Sequence, residues 1–319
     1  MNQLHPEIHR ILQNIEKVIA GKQEVAKLTL VALLAEGHVL LEDVPGVGKT
    51  MMVRALAKSM SAELRRIQFT PDLLPSDIMG VSIYNPRDMD FQFHPGPIMG
   101  NIILADEINR TSPKTQSALL ESMEENSITV DGVTHVLEKP FFVMATQNPI
   151  DYEGTYPLPE AQLDRFLLKM KMGYPTLEEE IDVLKRAQAV PPIEDLQPVV
   201  SLPELRQLQL GIKNVYVDES VRRYIAELSA ATRSHKNVFL GVSPRGSIAL
   251  MKASQALAFM HNRDYVLPDD VQYLAPFVFA HRIILKPESR FEGIHTENVI
   301  EQLIGLISVP VQRHVAKYE

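Results

Sequence analysis

The chain has 319 residues, of which 32 are basic and 40 acidic, for a net charge of −8; that length suggests two domains of ordinary size. With 45% hydrophobic and 23% charged residues it has the mix of a globular protein, which argues against disorder. The absence of Cys excludes disulfides, thiolate catalysis, Fe–S clusters and Cys-bound zinc, and the acidic balance of both halves argues against binding duplex nucleic acid over a broad surface.

The first segment, Met1 to Gly21, has the apolar spacing of an amphipathic helix, not the charged start and apolar stretch of a targeting sequence. The longest apolar run, Leu28 to Ala35, is too short to span a bilayer. The expectation is a cytoplasmic protein without an integral membrane segment. Residues 8–18 and 23–36 read as helices, with apolar residues every three to four positions. Five short apolar runs follow, at 38–41, 66–69, 101–104, 141–145 and 166–168. Continuously apolar stretches at 102–105 and 141–145 are expected of strands buried on both faces of a parallel sheet. Helical stretches between most of the runs imply a five-stranded α/β sheet with right-handed connections.

Two hairpins interrupt this alternation. One lies near residues 80–97, around Asn85-Pro86-Arg87-Asp88, and the other near 127–137, where Asp131-Gly132 suits a turn needing positive φ. From Pro175 the character changes. Thr176 is a plausible N-cap ahead of Glu178, Glu179 and Glu180, and helices are expected at about 203–211, 218–234, 244–260, 268–279 and 296–308. Ser243-Pro244 and Leu267-Pro268 read as helix starts with Pro at the first position. The expected division is therefore an α/β core over 1–174 and an all-helical domain over 175–319.

The chemistry begins at the first strand. His38 to Leu41 leads through Glu42-Asp43-Val44-Pro45-Gly46-Val47-Gly48 into a helix that starts at Lys49-Thr50-Met51. Small residues let backbone N–H groups converge on phosphate oxygens, and the helix N-terminus adds positive potential. Lys49 would reach the β- and γ-phosphates of a nucleotide, and Thr50 would hold Mg²⁺ through its hydroxyl. One residue departs from the G-x-x-x-x-G-K-[ST] pattern: its first Gly is Asp43 here. About 60 residues on, the strand Asn101-Ile102-Ile103-Leu104-Ala105 ends in Asp106-Glu107. At the carboxyl end of a parallel strand two carboxylates sit in the ligand crevice. Asp106 can bind Mg²⁺ through its water shell, and Glu107 is placed to polarise an attacking water. Ten His residues are scattered without paired metal spacing.

Taken together, these stretches resemble the AAA+ ATPases and, within them, the MoxR family of the helix-2-insert clade. The resemblance rests on Leu41 to Thr50, Gln68 to Asp77, Phe91 to Pro97, Ala105 to Arg110, Ala145-Thr146-Gln147-Asn148-Pro149 and Leu158 to Phe166, in family order. It implies a phosphate-loop core with a C-terminal helical lid, and Mg²⁺-dependent hydrolysis of ATP to ADP and phosphate. It implies further that Asn148 is the sensor 1 residue that orients water, and that Arg165 is an arginine finger reaching a neighbouring subunit's ATP. A finger of this kind is worth on the order of 10³–10⁵ in rate. Arg110 is a second candidate for acting across an interface. Arg245 matches the sensor 2 Arg; an Arg in a helix's first turn opposes the helix dipole unless a phosphate compensates. Val18, Ile19 and Gly21 resemble the segment that packs on adenine. The hairpins match the helix-2 insert and the pre-sensor-1 hairpin, with Phe91 and Phe93 either packing the insert or meeting a substrate.

The resemblance also implies a homo-oligomeric ring, expected to be a hexamer, and a chaperone-like role toward protein partners, von Willebrand factor A domain proteins among them. Three rivals stay open. One is a nucleic-acid motor, which the acidic balance and the lack of a Gly-Ala-Phe-Thr-Gly-Ala loop disfavour. Another is a magnesium-chelatase-like motor subunit. The last is a non-hydrolysing ATP switch, for which Glu107 would be dispensable.

Overall fold

The computed structural model describes residues 4–19, 21–44, 46–148, 154–186 and 192–310. They form two compact units, Met1–Lys213 and Asn214–Glu319.

The strands of the first unit are β1 (Val39–Glu42), β2 (Leu64–Gln68), β3 (Gly80–Asn85), β4 (Asp90–Pro95), β5 (Ile102–Asp106), β6 (Ser127–Val130), β7 (Val133–Val136), β8 (Phe142–Gln147) and β9 (Leu168–Met170). Five of them make one parallel sheet in the order β2-β5-β8-β1-β9. Its middle is buried on both faces, because Val39–Leu41, Ile102–Ala105 and Phe142–Ala145 carry no polar side chain. Truncating one of the larger of these to Ala costs about 2–5 kcal/mol. Register brings the carboxyl ends level: Gln68 pairs with Asp106 and Glu42 with Gln147. The side chains that leave the core at that edge therefore share one rim.

Helices α1 (Pro6–Val18), α2 (Gln23–Leu34), α3 (Lys49–Ser59), α4 (Pro75–Met79), α5 (Pro113–Glu125) and α6 (Glu160–Leu163) accompany the sheet. On one face Ile103, Ala105, Val143 and Ala145 pack with Leu119, Leu120 and Met123 of α5. α2 is buried nearly all round, as a helix without a polar stripe must be. His38, fully buried at the foot of β1, ties these layers together. Its Nδ1 accepts the Val143 N–H (3.0 Å), so Nε2 carries the proton donated to the Met123 carbonyl (3.1 Å). Burial holds its pKa down at about 4, against the smaller upward pull of the Met123 carbonyl.

Both hairpins form. β3 pairs with β4 over residues 80–95, and β6 pairs with β7 around Asp131 (φ 50°) and Gly132 (φ 79°), the positive pair that Asp-Gly provides. They meet: Phe93 stacks on His135 with ring centroids 4.0 Å apart. Phe91 stays exposed against Tyr84.

The unit continues through α7 (Leu177–Arg186), α8 (Pro192–Asp195) and α9 (Leu202–Ile212). Sequence reading put this stretch with the second domain, beginning at 175; the compact units divide at 213/214 instead. Tertiary contacts explain the difference. Gln209 on α9 donates to the Leu33 carbonyl at 2.8 Å, Val199 N–H donates to the Ser59 carbonyl at 2.9 Å, and Lys58 reaches the carbonyls of Ile193 and Glu194. A helix-rich composition does not reveal which core a helix joins.

The second unit holds α10 (Glu219–Ser234), α11 (Pro244–Met260), α12 (Pro268–Phe279), α13 (Pro287–Phe291) and α14 (Thr296–Leu306). It is helical but not wholly so: β10 (Val238–Leu240) and β11 (Ile284–Leu285) form a short antiparallel pair. Runs of two and three residues are too brief for alternation to register.

Candidate functional site

The carboxyl edge of the sheet carries a cavity of about 390 Å³. Its floor is the turn between β1 and α3. Asp43 N–H extends the β1–β8 ladder to the Gln147 carbonyl at 3.1 Å. The chain then turns through Gly46 (φ 86°) and Gly48 (φ 94°), conformations that favour glycine. Lys49 and Thr50 open α3, so the helix's unpaired N–H groups face the cavity. Gly46, Gly48, Lys49, Thr50 and Met51 line it. Lys49 Nζ donates to the Asp43 carbonyl at 3.1 Å. Val44 and Val47 belong to the turn without lining the cavity, and Pro45 lies outside the described residues.

Asp106 and Glu107 also line the cavity. Asp106 ends β5. Its Oδ1 accepts from the Thr146 hydroxyl at 2.7 Å and its Oδ2 from Arg66 Nη2 at 2.7 Å. Glu107 has a left-handed backbone (φ 59°, ψ 48°), a conformation that costs a non-glycine residue roughly 1–3 kcal/mol and persists only where neighbours fix it. Thr146 is such a neighbour: its fully buried oxygen accepts the Glu107 N–H at 2.9 Å. Glu107 Oε2 accepts from Gln68 Nε2 and from Arg110 Nη1, both at 3.0 Å. Asn148 lines the same cavity from the end of β8, and its carbonyl accepts from Asn109 Nδ2 at 3.2 Å.

Thus Lys49, Thr50, Asp106, Glu107 and Asn148, far apart in the chain, share one cavity. Three contributors went unnoticed in the sequence. Arg66 and Gln68 also line the cavity and lie two apart on β2, hence on one face, with Arg66 Nη2 2.8 Å from Gln68 Oε1. Their alternation with buried Ile67 and Phe69 was visible; the pairing of β2 with β5 was not. Thr146 sits inside a stretch already noted, two residues before Asn148.

Other expected residues lie elsewhere. Arg165 does not line the cavity; its Nε pairs with Glu124 Oε2 at 3.0 Å. Arg110 is exposed and holds Glu107. Val18 and Ile19 are half-buried at the end of α1, and neither they nor Gly21 lines the cavity. Arg245 is exposed in the first turn of α11, in the second unit. At the rim, burial raises the Glu42 carboxyl, but Lys169 Nζ at 2.9 Å and Gln147 outweigh it and leave its pKa lowered.

The donor set fits a Mg²⁺ ion. Thr50 and Asp106 offer hard oxygens in one cavity. No group of three or more His, Cys, Asp or Glu that could hold a metal occurs among the described residues, so a cation here would keep waters and take substrate oxygens, as Mg²⁺ prefers. No helix among the described residues is long and apolar enough to cross a membrane.

Known proteins resemble the chain along most of its length. Residues 38–168 match the ATPase family associated with various cellular activities (AAA), and residues 230–303 match the AAA lid domain. Uncharacterized protein YeaC of Bacillus subtilis is 62% identical, covering 98% of this chain and 98% of its own. Chaperone MoxR1 of Mycobacterium tuberculosis is 40% identical over 96% of this chain and 84% of its own. A crystal structure from Cytophaga hutchinsonii, of a protein described as a candidate ATPase, superposes with a TM-score of 0.90 at 41% identity, covering 96% of this chain and 95% of that one.

Proposed function

The chain belongs to the MoxR family of AAA+ ATPases, and from that premise we propose that it is a Mg²⁺-dependent motor that assembles into a ring and remodels or matures protein partners. The observation that carries the reading is the convergence of Lys49, Thr50, Asp106, Glu107 and Asn148 on one cavity. The Gly46–Gly48 turn and the α3 N-terminus cradle the phosphates, with Lys49 leaving the Asp43 carbonyl for a phosphate oxygen. Thr50 and Asp106 would hold a Mg²⁺ ion, which would supply charge neutralisation at the phosphates. Glu107, set in its strained backbone, and Asn148 orient the attacking water. Val18, Ile19 and Gly21 contact the base.

Arg165 supports the ring. Phosphoryl transfer gains most of its rate from positive charge placed against the transferring group, and Arg165 pairs with Glu124 instead of lining its own cavity. It acts on a neighbouring copy, in a ring we take to be hexameric. Arg245, in the lid, reports the nucleotide state. Clients carrying a von Willebrand factor A domain fit this role, and the cytoplasm supplies the ATP.

The test is Glu107→Gln. It should leave ATP affinity within about threefold and abolish turnover, since the amide keeps shape but cannot take a proton. Turnover at the wild-type rate would refute the assignment. In ATP, the same variant should co-purify with the client as a ring.

A further inference from the structure

Asp43 stands where the phosphate-loop pattern has Gly, and nothing in phosphate binding calls for a carboxylate there. It is 8% exposed. Every polar group it has is engaged. Its N–H extends the sheet to the Gln147 carbonyl, and its carbonyl receives Lys49 Nζ at 3.1 Å. Its carboxylate Oδ2 accepts the backbone N–H groups of Met172 and, at 3.1 Å, Gly173. These two residues belong to the chain leaving β9. Met172 is buried, and its Cε approaches within 3.9 Å of the point where Gly48 would carry a Cβ. The β9 exit is thus laid across the phosphate loop and fastened there by Asp43.

The same stretch is fastened a second time, a few residues on. Lys22 Nζ donates to the Tyr174 carbonyl at 3.1 Å. Glu179, whose carboxylate accepts the Thr176 N–H at 2.8 Å to open α7, lies so close to Gly21 that a Cβ at Gly21 would overlap it. Arg186 Nη1, at the far end of α7, donates to the Lys17 carbonyl at 2.9 Å. Residues 172–179 therefore form a strap. One end is tied to the phosphate loop through Asp43, and the other rests on the segment around Gly21 and Lys22.

We propose that Asp43 is a positioning residue that joins phosphate binding to base recognition, by fixing the 172–179 strap that sets the place of Val18, Ile19 and Gly21. The proposal rests on the nucleotide reading above. It assigns the carboxylate no contact with the reacting atoms. Its consequence is a division of labour: the loop holds phosphate by its own N–H groups with or without Asp43, whereas the base end needs Asp43 to be in register with it.

That division separates the proposal from a merely structural hydrogen bond, which would affect all ligands alike. The probes are ATP, GTP and inorganic tripolyphosphate, measured by calorimetry on the full chain with Mg²⁺. Asp43→Gly restores the small residue of the pattern and orphans the two N–H groups. Tripolyphosphate affinity should stay within about twofold, while ATP affinity falls about tenfold, the effect of one or two lost charge-assisted bonds, and the ATP over GTP preference shrinks with it. Asp43→Asn keeps an acceptor oxygen and should lose about threefold or less for ATP. Should Asp43→Gly fail to fold, Lys22→Ala releases the other end of the strap and should give the same pattern. Equal losses for ATP and tripolyphosphate, or no loss for either, overturn the proposal while leaving the nucleotide reading intact. Wild-type protein that binds neither ligand overturns both.

Discussion

Replacing Thr146 with Val removes one oxygen and little volume, and that oxygen serves both carboxylates of the site. The Thr146 hydroxyl donates to Asp106 Oδ1 at 2.7 Å and accepts the Glu107 N–H at 2.9 Å. Val leaves an acceptor and a donor without that partner. A buried orphan costs about 1–3 kcal/mol. The Asp106 side chain is 14% exposed, so water recovers part of its loss, and about 1 kcal/mol for each orphan, the low end of that range, is the figure taken. The Glu107 backbone also loses a restraint on a conformation it would otherwise leave. On the role proposed for Glu107, its displacement should put about 2 kcal/mol into the barrier, a factor of about 30 in kcat. Nucleotide affinity in EDTA should not move, because Thr146 bonds the acidic pair and does not itself line the cavity. Thr146→Ser keeps the hydroxyl and should recover most of the rate. Steady-state ATPase assays beside nucleotide titrations decide it. Turnover of the Val variant within threefold of wild type, or a Ser variant no better than Val, would refute the reasoning.

His38 makes a second prediction. Its folded pKa of about 4 lies below the ordinary 6.5, so between these values the unfolded chain binds the extra proton. The stability present above pH 6.5 is therefore lost as pH falls toward 4, by about 2 kcal/mol between pH 7 and 4.5; urea unfolding should show that much less pH dependence in His38→Gln, and equal dependence would refute the assignment. Arg165→Ala should bind ATP normally and hydrolyse it at least about 10³-fold more slowly. Mixed with an equally inactive Lys49→Ala protein it should regain activity, because some interfaces then combine an intact loop with an intact Arg; no recovery in the mixture would remove Arg165 from the neighbour's site. Phe93→Ala should loosen β6–β7 by about 1 kcal/mol through loss of the His135 stack, read as faster amide exchange at Ser127–Val136 and not in β5.

Signals that live in a few adjacent residues carried over into structure. Asp131-Gly132 demands a turn with two positive φ angles, and the hairpin forms on the residues flanking it. Ser243-Pro244 and Leu267-Pro268 start helices with Pro in the first turn, as expected, and Ser243 also caps its helix by accepting the Gly246 N–H. The five parallel strands appear within a few residues of the apolar runs, and the three middle ones, β1, β5 and β8, are buried on both faces and so cannot hide their composition. What was illegible depends on who lies beside whom. α9 looks like any other amphipathic helix until Gln209 finds the Leu33 carbonyl, and so the unit boundary falls some way past the change in composition at Pro175.

The same distinction runs through the site. Lys49, Thr50, Asp106 and Glu107 stand out because phosphate and metal chemistry asks for those residue types at strand ends and helix starts. Arg66, Gln68 and Thr146 stand out only when β2 and β8 are set on either side of β5, since what they hold is another side chain, not a ligand. Asp43 is the instructive intermediate. As a departure from a pattern it was visible at once, but the reason for it lies about 130 residues away in two backbone N–H groups. A substitution inside a ligand loop is therefore better explained by asking what the new side chain reaches than by asking what the old one did. Here the reach crosses from the phosphate end of the cavity to the strap above Gly21, and that connection is what the Asp43→Gly measurements weigh.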